Sequence, residues 1–255
     1  MKTTINERFI MKITAYKVSE IGGRKANEDY VLSSQNDDYG YVFALADGLG
    51  GHGSGDAASQ EACETAIDYF YRHPLFHQGM FNEVYPLCQE HLYARQKREN
   101  AEGKMRTTLN LVCIDDEAIY WSHVGDSRTY YFKDNQLIKR TNDHSVPQML
   151  ANIGEIKESE IRYHEDRNRV LKVLGVADQT PAFDAEEPVA ISDNQQFLLC
   201  SDGFWEMITE EQMLECLAKS DCPRDWIESM LEIVHENAPA NADNTSAIAI
   251  WIKGE

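Results

Sequence analysis

The sequence predicts an α+β chain in which largely antiparallel sheets are covered by helices. Three observations lead there. Short segments rich in β-branched and aromatic residues recur at residues 12–18, 41–46, 109–114, 118–124, 128–132, 197–200 and 246–252, which is the composition of strands. Longer segments at 56–72, 82–99, 145–152, 210–219 and 223–237 carry apolar residues three and four apart and read as amphipathic helices. Their order lacks the strict strand and helix alternation of a doubly wound parallel sheet.

Taken along the chain, the sequence MKITAYKVSE from Met11 would itself serve as a start, so residues 1–10 are expected to be a loosely attached extension. Strands at 12–18 and 41–46 come next, then the two helices at 56–72 and 82–99. A run of strands follows, in which residues 118–132 read as strands meeting at a Gly-Asp turn. A polar insert, a further strand, two helices and the strand at 246–252 complete the order. No fixed period repeats and no Pro-, Gly- or Ser-rich linker divides the chain, so residues 11–255 are expected to be a single domain.

Charge excludes some functions. With 43 acidic and 24 basic side chains among 255 residues, the formal charge is −19, and a polyanion such as nucleic acid would need the opposite balance. Apolar residues make up 42% of the chain, including 12 Tyr, 9 Phe and 4 Trp, enough for a substantial core. No apolar run approaches the roughly 18 residues of a membrane span, and the N-terminus shows no secretory signal. A soluble, cytoplasmic protein without membrane partners is expected. The six cysteines show no CxxC pair and sit mostly among apolar residues, as reduced structural thiols do. Cys88 has no arginine at the spacing that would cradle a phosphate around a thiolate nucleophile.

The most informative pattern is an apolar strand that stops on aspartate beside glycine. It occurs as FALADG (43–48), SHVGDS (122–127) and FLLCSDG (197–203), and a related ADN (242–244) precedes the last strand. A further acidic pair, Glu28 and Asp29, follows Arg24 in GRKANED. Any one of these could be an ordinary Asp-Gly turn. As a set, converging carboxylates would repel one another unless a cation sat between them. Aspartates without Cys or His at ligand spacing suit a hard ion, Mg²⁺ or Mn²⁺, better than zinc. Two such ions sharing one carboxylate would activate a water and neutralise a phosphoryl group. Arg24 would supply a bidentate fork for phosphate oxygens.

Rival motifs are weaker. Gly48, Gly50 and Gly53 form a GxGxxG after a strand and before a helix, but Asp47 stands where its charge would face a pyrophosphate, and Asp68, at the distance of a ribose-binding acid, lies within a predicted helix. His73 and His77 have helical spacing, yet Pro74 lies between them and no glutamate follows, against a zinc-protease reading. Ser54 lacks the spacing of a nucleophile elbow. His52 could donate a proton to a leaving group or be structural, and His144 in TNDHS could be a local turn histidine.

Together these residues resemble the metal-dependent protein phosphatases, the type 2C serine/threonine phosphatases, in their bacterial form. The resemblance covers about residues 12–252 and rests on RKANED (24–29), ALADGLGGHGSGDAAS (44–59), VGDSRTYYF (124–132), TNDHS (141–145), RNRVLKVLG (167–175), LLCSDGFWE (198–206) and ADNTSAIAI (242–250), in family order. It implies a four-layer α-β-β-α sandwich: two antiparallel β-sheets packed face to face, helices outside, metals at one edge, and a flap insert at about 143–175. By the same resemblance Asp47 would bridge two ions and Gly48 would ligate through its carbonyl. Asp202 and Asp243 would complete one shell, and Asp29, with Glu28, would serve the other ion directly or through water. Arg24 would bind phosphate, and Asp126 with Asp202 would hold a third, weaker ion. Two departures stand out. Arg106 occupies the place of the usual glycine before the paired Thr107 and Thr108, and Leu49 occupies the place of the histidine that follows Asp-Gly in eukaryotic members.

The expected function is therefore a Mn²⁺- or Mg²⁺-dependent protein serine/threonine phosphatase acting through a metal-activated water, with Asp47 and Arg24 central. Its partners would be phosphorylated proteins, including the substrates of a serine/threonine kinase and the kinase itself. The alternative is a non-catalytic phosphoprotein-binding regulatory module on the same fold.

Overall fold

The computed structural model describes residues 11–36, 40–49, 54–176 and 179–254. Residues 1–10, together with His52 and the GxGxxG glycines Gly50 and Gly53, lie outside the described residues. One antiparallel sheet runs in the order β1 (Met11–Glu20), β12 (Thr245–Gly254), β11 (Gln195–Cys200), β7 (Arg128–Lys133), β8 (Gln136–Arg140). The other runs β10 (Val189–Ala190), β6 (Ala118–Val124), β5 (Leu109–Ile114), β3 (Gly40–Leu49), β2 (Asp29–Asn36), with β9 (Asp184–Ala185) on β6 and β4 (Arg106–Thr107) on β3. The expected strands and helices are all present, within a few residues at their ends.

Period-two alternation sorts each central strand between two cores. In β3, Phe43 and Leu45 face the space between the sheets, while Val42, Ala44 and Ala46 face helices. In β12, Ile248, Ile250 and Ile252 enter the inter-sheet core and Ala247, Ala249 and Trp251 turn outward to the helical layer. Burial on both faces is why these strands read as unbroken apolar runs. Helices α1 (Gly55–Arg72) and α2 (Phe81–Glu99) cover the β3 sheet. Helices α5 (Glu210–Leu217) and α6 (Pro223–Asn237) cover the β12 sheet. The result is the four-layer α-β-β-α sandwich. Between β8 and β9 lie α3 (Val146–Asn152) and a 3₁₀ turn over Glu158–Tyr163, and α4 (Asp202–Trp205) follows β11.

Local chemistry sets the helix starts. Ser145 accepts the Gln148 N–H at the start of α3, Thr209 and Gln212 form a capping box on α5, and Pro223 occupies the first turn of α6. Five strands escape the sequence reading, the two-residue β4, β9 and β10 and the longer β2 and β8. In β2 only the first half of DYVLSSQN is apolar, and β8 is a polar edge strand. The strands at 118–124 and 128–132 do meet at Gly125-Asp126, but they belong to different sheets, so the turn carries the chain from one layer to the other. All six cysteines are free thiols and five are buried. Among the described residues no helix is long and apolar enough to cross a membrane.

Candidate active site

Strand register brings the first two aspartates together. Asp29 opens β2 directly opposite Asp47 near the end of β3, and the Gly48 N–H donates to the Glu28 carbonyl at 3.0 Å. Paired threonines hold the end of β3 from its other side. The Asp47 N–H donates to Thr108 Oγ1 at 2.8 Å, while Thr107 Oγ1 and the Thr108 N–H both donate to the Asp47 carbonyl at 2.9 Å. Thr108 Oγ1 also lies 2.9 Å from Ser127 Oγ, tying Asp47 to the turn that bears Asp126. Gly125 in that turn has φ +108°, and a Cβ there would stand 2.4 Å from the Thr108 methyl. Only glycine fits.

The other sheet supplies Asp202 and Asp243. Ser201, between β11 and α4, donates to Asp29 Oδ2 at 2.8 Å and accepts the Ser246 N–H at 3.0 Å. Asn244 pins the segment that carries Arg24 and Glu28: its amide donates to the carbonyls of Ile21 and Ala26 at 2.8 and 2.9 Å, and its Oδ1 accepts the Glu28 N–H at 2.8 Å. Arg24 reaches Asp243 Oδ2 at 2.5 Å and keeps half of its side chain exposed. Arg106, the departure before the paired threonines, is exposed and pairs with Leu49 across β4 and β3.

Convergence of the strand ends has electrostatic consequences. Burial, followed by the charges of Asp202, Asp29, Asp126 and Asp243, pushes the Asp47 carboxyl well above the usual carboxylate range. Burial and then Asp126, Asp243 and Glu206 do the same to Asp202. Asp29 is raised to about 6 by burial, against the opposing hydroxyls of Ser201 and Ser246. Asp126 is raised to about 7 by burial and the Asp143 charge, with Arg128 pulling the other way. Burial likewise raises Glu28. Among the described residues no Lys, Arg or His lies within ion-pair distance of Asp29, Asp47, Asp126 or Asp202. Such a group of oxygens suits hard divalent cations, which neutralise it without requiring nitrogen or sulfur ligands. Room for a carbonyl ligand exists beside it. A Cβ on Gly55 would fall 2.7 Å from the Gly48 carbonyl oxygen and 2.8 Å from Glu28 Oε1, so the bare Cα leaves both oxygens uncovered.

Structure thus brings Arg24, Glu28, Asp29, Asp47, Gly48, Asp126, Asp202 and Asp243 into one region. Sequence reasoning missed the residues that hold them: Ser201, Asn244, and the group around Asp126. There the Trp205 indole N–H donates to the Asp126 carbonyl at 3.0 Å, Arg128 lies 3.4 Å over the Trp205 ring, and Asp143 grips Arg128 at 2.8 and 2.7 Å. Their only sequence signal is adjacency to the acidic motifs. Arg162, Tyr163, Arg167, Glu206 and Thr209 are among the residues that line a cavity of about 580 Å³, with Arg167 paired to Glu206 at 3.1 Å.

Comparison with known proteins accords with this geometry. A family model described as protein phosphatase 2C matches residues 18–242. The chain is 30% identical over 200 residues to the serine/threonine phosphatase stp of Listeria monocytogenes serotype 4b, covering 76% of this chain and 78% of that protein. Its fold matches the crystal structure of serine/threonine phosphatase Stp1 from Staphylococcus aureus with a TM-score of 0.85 at 24% identity over the whole of both chains. It also matches the catalytic domain of serine threonine protein phosphatase PstP in complex with 2 manganese ions, with a TM-score of 0.80 at 24% identity over 96% of this chain and 100% of that one.

Proposed function

The chain belongs to the protein phosphatase 2C family and is a protein serine/threonine phosphatase, and on that premise we propose that it removes phosphate from phosphoserine and phosphothreonine with two divalent cations, Mn²⁺ or Mg²⁺, held by the strand-end carboxylates. One observation carries the reading: β2 and β3 register sets Asp29 opposite Asp47, burial and then the charges of neighbouring aspartates, Asp29 and Asp126 among them, raise both Asp47 and Asp202, and no Lys, Arg or His of the described residues lies within ion-pair distance of these four acids. When bound, the ions supply Lewis-acid activation of water and neutralise phosphoryl oxygens.

The chain's own residues divide the remaining work. Asp47, whose carboxyl feels four other aspartates, is the shared ligand. Asp202 and Asp243 would serve one ion, and Glu28, Asp29 and the Gly48 carbonyl the other. Asp126, with Asp202, would hold a third and weaker ion. Arg24, exposed and oriented by Asp243, donates charge-assisted hydrogen bonds to the phosphate. Asn244 and Ser201 keep the segments carrying these groups in register. The flap at 143–175 contributes Arg162, Tyr163 and Arg167 to a cavity that Glu206 also lines. The same proposal places the protein in the cytoplasm, supported by six free thiols, among the phosphoproteins made by a serine/threonine kinase.

Phosphate release from a phosphothreonine peptide by purified protein with Mn²⁺, abolished by EDTA, is the expected result. Peptide binding without release, at saturating metal, would refute the reading and favour a regulatory binding module.

A further inference from the structure

His123, His144 and Asp184 form a cluster apart from the five aspartates, and their ligand-type atoms lie within 4.8 Å of one another. His123 and His144 are buried, with rings stacked 4.6 Å apart, and His123 Nδ1 and His144 Nε2 are buried without a hydrogen-bond partner. The first reading of such a trio is a zinc site. Proton placement argues against it. His123 Nε2 lies 2.8 Å from the Asn142 carbonyl, so it carries the proton and leaves a lone pair on Nδ1. His144 is the reverse: its Nδ1 accepts the Gly125 N–H at 3.1 Å. Its proton therefore sits on Nε2, which lies at ion-pair distance, 3.1 Å, from Asp184 Oδ2 without the alignment of a hydrogen bond. A metal at Nε2 would need that proton on Nδ1, where it would meet the Gly125 N–H head-on.

We propose that His144, oriented by Asp184, is a positioning residue for Asp126. It holds Gly125 on both sides of its Cα: the ring takes the Gly125 N–H, and the His144 N–H donates to the Gly125 carbonyl at 2.9 Å. The next residue is Asp126, whose own carbonyl is held by the Trp205 indole. Gly125 sits at φ +108°, a conformation with no intrinsic preference for the direction of the crossover. The ring of His144 supplies that preference and so fixes where the Asp126 carboxyl points. Asp184 favours that tautomer by its charge from outside, its side chain half exposed and 3.8 Å from Lys172. The His144 carbonyl accepts the Leu171 N–H at 2.6 Å, so the same residue joins the Asp126 turn to the far end of the flap. This proposal rests on the reading that Asp126 holds an ion for the phosphatase reaction.

Two measurements on the full chain test it. Nitrogen-15 NMR of the histidine rings, with Zn²⁺ absent and present, should show His144 protonated on Nε2 in both conditions. Kinetics with saturating Mn²⁺ should show His144→Ala losing kcat by about tenfold or more with KM little changed. His144→Asn, whose Oδ1 can take the Gly125 N–H, should recover most of that loss. His144→Gln, whose amide sits at the Nε2 position, should not. An Nδ1–H tautomer at His144 overturns the proposal, as does His144→Gln matching His144→Asn. Zn²⁺ shifting both histidines overturns it in favour of a metal site. Impaired Asp126→Ala beside a fully active His144→Ala removes the positioning role alone. Full turnover in Asp126→Ala instead refutes the ion-holding reading of Asp126, and with it the catalytic part of this proposal.

Discussion

Asn244→Ala tests whether the segment carrying Arg24 and Glu28 owes its place to one side chain. Asn244 is buried and makes three hydrogen bonds to that segment, to the Ile21 and Ala26 carbonyls and from the Glu28 N–H. At about 1 kcal/mol net for each, the truncation costs about 3 kcal/mol. For a chain of this size that is a fall in Tm of about 6–12 °C. Loss of the pin also frees Gly22 and Gly23 from the backbone of 240–243, against which they pack too closely for any Cβ. Arg24 then no longer meets the phosphate in a fixed pose, so KM should rise severalfold even where the protein is fully folded. Melting scans and steady-state kinetics at saturating Mn²⁺, both well below the variant's Tm, read the two effects separately. Unchanged KM in a destabilised variant would show that Arg24 is positioned by Asp243 alone, and unchanged Tm would refute the hydrogen-bond argument itself.

Asp47→Asn should abolish turnover by orders of magnitude while raising the Tm of EDTA-treated protein at pH 7–8, because it removes a charge that burial and four aspartates disfavour; a lower Tm without metal would contradict that sign. The metal-free protein should also lose stability as pH rises from about 4 to 7. Asp29 and Asp126 titrate near 6 and 7 when folded but near 3.9 when unfolded. The folded state thus binds protons more tightly, and its advantage, complete below the unfolded value, is gone once pH passes the folded values. Mn²⁺ should therefore raise Tm more at pH 8 than at pH 5.5, and equal shifts at both would refute the argument. With a formal charge of −19, the protein repels acidic phosphopeptides at long range, so added salt should leave kcat/KM level or higher at fixed metal occupancy; a steep fall would place substrate capture on surface cations instead.

How much of this was legible in the sequence depends on the range of the cause. FALADG, SHVGDS and FLLCSDG announce themselves because an apolar strand and its terminal aspartate are neighbours along the chain, and the strands of the sandwich follow from the same runs. That Asp29 faces Asp47 depends on the register of β2, a strand whose polar second half hides it. Asn244 bonds to Glu28 across 216 positions, and Ser201 to Asp29 across 172. No local pattern distinguishes such an Asn or Ser from a turn residue. His144 was readable only as a turn histidine for the same reason: the amide its ring accepts is that of Gly125, 19 positions away.

The placement of the acids explains why both sheets are needed. Asp29 and Asp47 come from the start of β2 and the end of β3 in one sheet, Asp202 and Asp243 from the end of β11 and the approach to β12 in the other, and Asp126 from the crossover between them. Packing the inter-sheet core of Phe43, Leu45, Phe197, Leu199, Ile248 and Ile250 therefore forces the carboxylates together at one edge. Apolar burial there drives an arrangement that electrostatics alone would disperse. Local preference and global fold conflict at this one place, as they do where a site is built for a ligand. The conflict has a chemical use: a cation that enters relieves repulsion already imposed by the core, so part of its affinity is supplied by folding itself.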